Sequence, residues 1–439
     1  MPRTPNTALR TLLAEAGWTQ QALAQAVNAV GAEVGERLYY DRTAVAHWLT
    51  GSRPNARVLP LACEALSRRL RRAVTPEDAG FPVLAVLASE TPGNRRQAMS
   101  SPPRHDLSDL LRDPSTPEPY RPAEATPGHW VTDGGEGRGG STMARLSETS
   151  AVEAARTAVH FFAQVLDAHG GGYAPATLRA YLTEVVAPRL QAIDSRDCPR
   201  LYAEAARLVL LLGLMEADEL RHGSAQRCFL MARDLAVESR DRAVWVLVVR
   251  TMSAQAYGLG HRRIADIAAR AAVQGARGTS PAILAFAEAQ LAVTRAGLGD
   301  RAGAMQALAD AESALRGADG IGYPFDGYPF DGTPQAALEL RRAEALSALG
   351  DTPGVVRALE RTLASRRAED RWSTVQTRVR LANVLLSAGR LDEAARHDQA
   401  LRDEGAALCS AAVNQQVEQW RRSLRRFSGR TRERDRIPL

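Results

Sequence analysis

The chain has 439 residues, 45% of them hydrophobic and only 5% aromatic, with a formal net charge of +6. That length predicts two or three domains rather than one core, and so few aromatics suit packed small-residue helices better than a β-sandwich. All 56 basic residues are arginine; without lysine there is no P-loop lysine, no kinase-type lysine and no Schiff-base nucleophile, which excludes several large enzyme classes.

The charge is uneven. Residues 1–80 carry a net +3, residues 420–439 a net +6, and the stretch between them −3. Basic ends around a mildly acidic middle point to a polyanionic partner. No run of 18 apolar residues occurs and the N-terminus shows no signal-peptide core, so the expectation is a cytoplasmic protein with no membrane association. Cys63, Cys198, Cys228 and Cys409 stand far apart, with neither CxxC nor disulfide-framework spacing, and are expected to be buried or idle thiols.

In chain order, Asn6–Ala16 places Leu9, Leu12, Leu13 and Ala16 at helical spacing and closes on Gly17. Thr19 can cap a second helix, Gln20–Asn28, with Leu23, Ala24 and Val27 inward. After a longer connection, Asp41 can cap a third helix that ends near Gly51. Its Ala44, Val45, Trp48 and Leu49 form one apolar stripe, which leaves Arg42, Thr43 and His47 on the opposite face. A fourth helix, Arg57–Arg72, turns Val58, Leu59, Ala62, Cys63, Leu66 and Leu70 inward. The four make one small all-α domain over residues 1–80.

Residues 90–143 hold eight prolines, the glycine cluster Gly134–Gly140 and few aliphatics. Such a stretch buries too little apolar surface to offset its chain entropy and is expected to be a disordered linker. The glycines follow no strand and open no convincing helix, so a linker is favoured over a phosphate cradle. Beyond Arg145, helical spacing runs almost to the end. Glu148–Ala168 and Pro175–Ile193 form a first pair, joined by a turn containing His169-Gly170-Gly171-Gly172. That run matches the oxyanion-hole glycines of esterases, but no nucleophile elbow exists in the chain, so a glycine helix stop is the better reading.

Leu220, Gly260, Gly299, Gly350 and Gly389 then recur at spacings of 40, 39, 51 and 39 residues. Five residues after each stands Ala225, Ala265, Ala304, Val355 or Ala394, where two helices must approach closely. The long interval contains the tandem YPFDGYPFDG, Tyr323–Gly332. Such units resemble the tetratricopeptide repeat, although its usual Trp and Tyr positions are mostly replaced. The resemblance implies an α-solenoid over 146–419. In the basic tail, 420–439, Trp420, Leu424 and Phe427 would share a face against the last repeat, as a cap rather than a second DNA contact.

WTQQALAQAV followed by DRTAVAHWLTGSRP resembles the helix-turn-helix of the lambda-repressor-like (XRE) family, although Thr19 to Asp41 spans 22 residues, more than in compact members. The excess, Ala29–Tyr40, either lengthens the second helix or loops out. With LDAHGGGYA, YLTEVVAPRL and RHGSAQRCFLMA, the order of parts resembles actinobacterial transcriptional regulators of this type. That resemblance implies double-stranded DNA as partner, control of secondary metabolism or differentiation, and a nucleoid-associated location. Arg42, Thr43 and His47 would face base edges, and Gln20, Gln21, Arg53 and Arg57 would hold phosphates. Because each N-terminal helix uses its apolar stripe inside the bundle, homodimerisation is expected through the repeat domain, whose groove would take a small-molecule, peptide or protein effector. The rival reading is a protein-interaction adaptor with a structural N-terminal bundle. No nucleophile–base pair, metal-ligand spacing or cofactor loop is found, so neither an enzyme nor a cofactor is expected.

Overall fold

The computed structural model describes residues 5–33, 38–55, 58–70, 74, 76, 78–81, 107–112, 119–128, 130, 142–192, 195, 198–317 and 333–434. It is all-α, with no strand among the described residues. The N-terminal domain consists of α1 (Thr7–Ala16), α2 (Gln20–Glu33), α3 (Arg42–Leu49) and α4 (Val58–Leu70). Their apolar stripes meet in one core around Leu9, Leu13, Leu23, Val45, Trp48 and Leu66. Two inward positions expected in α4, Leu59 and Leu70, are only partly buried; Leu61 and Ala65 take the central places. The Asn6 side chain accepts from Leu9 N (2.9 Å) at the start of α1 and donates to Ala79 O (2.8 Å). That bond, with buried Phe81, closes the core just past the expected boundary at residue 80.

Two described parts of the 90–143 stretch pack against the helical array, which narrows the linker reading. In α5 (Leu107–Arg112), Leu107, Leu110 and Leu111 join the array core. Residues 119–128 and Trp130 lie along α10 (His222–Glu238), α11 (Arg242–Gly258) and α12 (Arg262–Ala276). Low overall hydrophobicity hid a few well-placed anchors. The glycine cluster and the YPFDGYPFDG tandem lie outside the described residues.

The array begins with α6 (Thr142–His169), followed by α7 (Pro175–Tyr181), a π-helical turn (Leu182–Val186) and α8 (Ala187–Ala192). Helical hairpins follow, the first pairing α9 (Pro199–Asp218) with α10 and the second α11 with α12. Three more pair α13 (Pro281–Gly297) with α14 (Arg301–Arg316), α15 (Pro334–Ala348) with α16 (Thr352–Ala364), and α17 (Arg371–Ser387) with α18 (Leu391–Arg396). The chain ends in α19 (Asp398–Ala406) and α20 (Ala411–Arg434). The repeat read from the sequence is physical. Leu220, Gly260, Gly299, Gly350 and Gly389 all have left-handed backbone, φ 61, 81, 82, 78 and 76°, and the small residue five places on is buried every time.

Leu220 is the anomaly among these anchors, since a side chain in that conformation costs about 1–2 kcal/mol. It is 41% exposed, so little burial offsets the strain. Leu220→Gly should therefore stabilise the array by up to about 1 kcal/mol after the entropy cost of glycine, read as a higher urea midpoint.

The two ends of the array are joined. Helix α6 packs on both α9 and α17. Cys409 N donates to His169 O (2.8 Å), and Gly172 N donates to Cys409 O (2.7 Å). The buried Asp218 carboxylate, at the end of α9, accepts from Gly171 N (2.7 Å), Ser410 Oγ (2.7 Å) and Trp372 Nε1 (2.9 Å). The HGGG run is thus more than a helix stop: a Cβ on Gly171 would stand 2.7 Å from Asp218 Cβ. On α20, Trp420 is fully buried and Leu424 packs beside it, as a cap requires. Trp420 Nε1 donates to Asp398 Oδ1 (3.3 Å). The Phe427 side chain and those of the arginines beyond Arg425 lie outside the described residues. Cys63, Cys198 and Cys228 are buried and Cys409 is exposed, all as free thiols; burial pushes the Cys228 thiol up to about 12.

His222 opens α10, and burial holds its imidazole below the usual value of 6.5. Its Nδ1 is buried without a hydrogen-bond partner among the described residues, and the helix N-terminus also disfavours the cation. His397 is lowered likewise, first by burial and then by Arg378 and Arg396. Stability from a lowered pKa is complete above the unfolded value and is lost as pH falls through the folded one. The melting temperature should drop between about pH 7.5 and about pH 5.5, and His222→Gln should reduce that drop.

Candidate nucleic-acid interface

Three side chains fix how the chain enters α3. Asp41 Oδ1 accepts from Ala44 N (2.9 Å) as N-cap. Gln21 Oε1, from α2, accepts from Arg42 N (3.1 Å). The Asn28 amide, also on α2, pairs both ways with Tyr40, accepting from its N–H (2.9 Å) and donating to its C=O (2.8 Å). Tyr40 packs on Trp48, ring centroids 5.4 Å apart, so α3 is tied to α2 at its start and through its buried back. At the other end, Asn6 N donates to Leu49 O (2.9 Å) and Ser52 N to His47 O (2.9 Å), while Gly51 turns the chain with φ 97°.

Val45, Trp48 and Leu49 are buried, whereas Arg42, Thr43 and His47 are exposed. Arg42 and Thr43 occupy the first turn, and His47 stands one turn beyond Thr43 on the same stripe. The helix itself contains no acidic residue. The outward face therefore offers a planar guanidinium, a hydroxyl and an imidazole, and a guanidinium can donate bidentately to paired acceptors such as guanine O6 and N7.

The expected phosphate-holding residues divide. Arg53 is exposed four residues past the end of α3, and Gln20 is half-buried at the first position of α2. Gln21 is exposed, but its amide oxygen is engaged by α3. Arg57 lies outside the described residues. The long connection lengthens α2 through Glu33, and residues 34–37 lie outside the described part. Two contributors were missed in the sequence. In the sequence Asn28 reads only as the end of a helix. Tyr39 is 87% exposed beside the α3 N-cap; successive side chains of an extended segment point to opposite faces, so a Tyr-Tyr pair with Tyr40 inward puts Tyr39 outward.

Asn28→Ala should leave Tyr40's N–H and C=O without partners and cost about 1–2 kcal/mol of domain stability. Conservative replacement of exposed Thr43 by Ser should leave that stability unchanged within about 0.5 kcal/mol, as denaturant titrations would show.

The fold defines an all-α protein with a small N-terminal bundle, whose capped third helix faces outward with arginine and histidine, ahead of an array of helical hairpins. Over residues 9–82 the chain is similar to the SP15 N-terminal domain, a span that starts in α1 and ends next to the core-closing Phe81. No curated protein and no solved structure matches the chain.

Proposed function

We propose that this chain is a sequence-specific DNA-binding transcriptional regulator, a binding protein rather than an enzyme, whose α3 enters the major groove. The observation that carries this reading is the exposed Arg42–Thr43–His47 face on a helix anchored by Gln21, Asn28 and Asp41. Positioning matters here, because bidentate readout of a base edge requires a guanidinium held in register. In this reading Arg53 and Arg57 contact phosphates, Gln20 lies at the DNA backbone, and Tyr39 lies beside them.

A single module of this size reads few base pairs, so two are needed about one helical turn apart. The N-terminal stripes are consumed in its own core, which leaves the array as the dimerising part and the place where an effector acts. The resemblance to regulators with tetratricopeptide-like arrays adds control of secondary metabolism or differentiation, from a nucleoid-associated cytoplasmic location. No helix among the described residues is long and apolar enough to cross a membrane. The test is a competition titration of the full chain at moderate salt between a site selected from random DNA and its scrambled version. Regulation requires the selected site to win by about a thousandfold or more, whereas equal affinity contradicts it.

A further inference from the structure

Between Pro127, Gly128 and Trp130 on one side and the helices α11 and α12 on the other lies a cavity of about 460 Å³, within the size range of small-molecule sites. Its apolar walls are the indoles of Trp130 and Trp245, 5.9 Å apart and tilted at 60°, with Ile267 of α12 beside them. Its polar lining is Arg242, Arg270 and Gln274, and no carboxylate among the described residues lines it.

Two buried donors on the lining residues have no hydrogen-bond partner among the described residues. They are the Nε1–H of Trp245, which is 2% exposed, and the Nε of Arg242. Both atoms are themselves buried, so a guest would meet the exposed remainder of Arg242, which is only partly buried. The two arginines differ. Arg270 pairs with Asp266 at 2.9 Å, whereas Arg242 forms no ion pair among the described residues and remains an uncompensated cation.

The walls are built independently of any guest. The Gln226 amide accepts from Arg121 N (2.7 Å) and donates to Arg121 O (2.7 Å), Arg233 donates to Thr126 O (2.7 Å), and Tyr120 stacks on His261 at 5.2 Å. On the opposite side, Gly275 makes room for Trp245: a Cβ there would stand 2.5 Å from the indole Cζ3.

We propose that this cavity binds a flat, conjugated organic anion. Its carboxylate is held by the Arg242 guanidinium, and its ring system lies against the indoles and Ile267. In the regulator reading this is the effector site, and the proposal rests on that reading only for its consequence, not for the binding itself.

The test therefore uses no DNA. The full chain is titrated calorimetrically with benzoate, naphthalene-2-carboxylate, anthracene-9-carboxylate and the neutral naphthalene-2-carboxamide. One equivalent of at least one bicyclic or tricyclic carboxylate should bind with a Kd below about 1 mM. The carboxamide should bind about tenfold more weakly than naphthalene-2-carboxylate, and Arg242→Gln should lose about the same factor without a change in melting temperature. Trp130→Ala, on a segment outside the hairpins, should weaken the carboxylate as well. Failure of every carboxylate to saturate, equal binding of acid and amide, or parent-like binding by Arg242→Gln would each overturn the proposal. None of these outcomes bears on whether α3 reads DNA.

Discussion

Asp218→Ala is expected to lower the unfolding free energy of the array by about 3–5 kcal/mol. The carboxylate is where three distant parts of the chain converge, the turn after α6, the start of α17 and the start of α20. Removing it leaves the buried Gly171 N–H and Ser410 hydroxyl and the partly buried Trp372 indole N–H without this acceptor, each buried donor a penalty of about 1–3 kcal/mol. Burial pushes the Asp218 carboxyl up, and the three donors pull it back down, so the group is costly to bury and more costly to lose. Asp218→Asn keeps the shape but turns one acceptor into a donor, and should lose about 1–3 kcal/mol. Ser410→Ala removes one donor to Asp218 and the acceptor of Val413 N (3.1 Å), and should lose less than Asp218→Ala. Guanidinium unfolding of the three variants decides the point: equal, small losses would mean that the ends of the array are held by apolar packing alone.

Arg42→Ala is expected to weaken binding to the preferred DNA site by about 1–3 kcal/mol and to relax the preference at one position. The reason is geometric. Arg42 is exposed in the first turn of a helix whose entry is set by Gln21 and Asn28 from α2, so its fork is presented from a fixed backbone. His47→Ala should act at a different position, because His47 stands more than a turn further along α3. Arg53→Ala, beyond the helix end, should weaken all sequences alike and lower the salt slope by about one. A salt series on matched and scrambled duplexes separates the two kinds of loss.

Much of this fold was legible in the sequence because helices announce themselves twice, through apolar spacing and through their caps. Asp41 and Thr19 mark helix starts and Gly17 a helix end, and the left-handed anchors mark the hairpin turns even at Leu220, where the residue type is wrong for the conformation. The exposed face of α3 followed from its buried one. What stayed hidden depends on contacts between residues far apart in the chain. Nothing local distinguishes Asp218 from any acidic residue at a helix end until Gly171, Trp372 and Ser410 are brought to it. The 119–130 segment has a linker's composition, yet Gln226, more than a hundred residues away, pairs with its backbone. Asn28 could not be seen as the anchor of Tyr40 while the course of the connection between them was open.

Whether the outward face of α3 reads base sequence is decided by selection from a random DNA pool with the full chain and Arg42→Ala run side by side. The parent is expected to enrich a motif of two half-sites about one helical turn apart. Arg42→Ala should enrich the same motif with one position, a guanine in the parent, degenerate in each half. Enrichment of no motif by the parent, or an unchanged motif from Arg42→Ala and His47→Ala alike, would contradict base reading by this face.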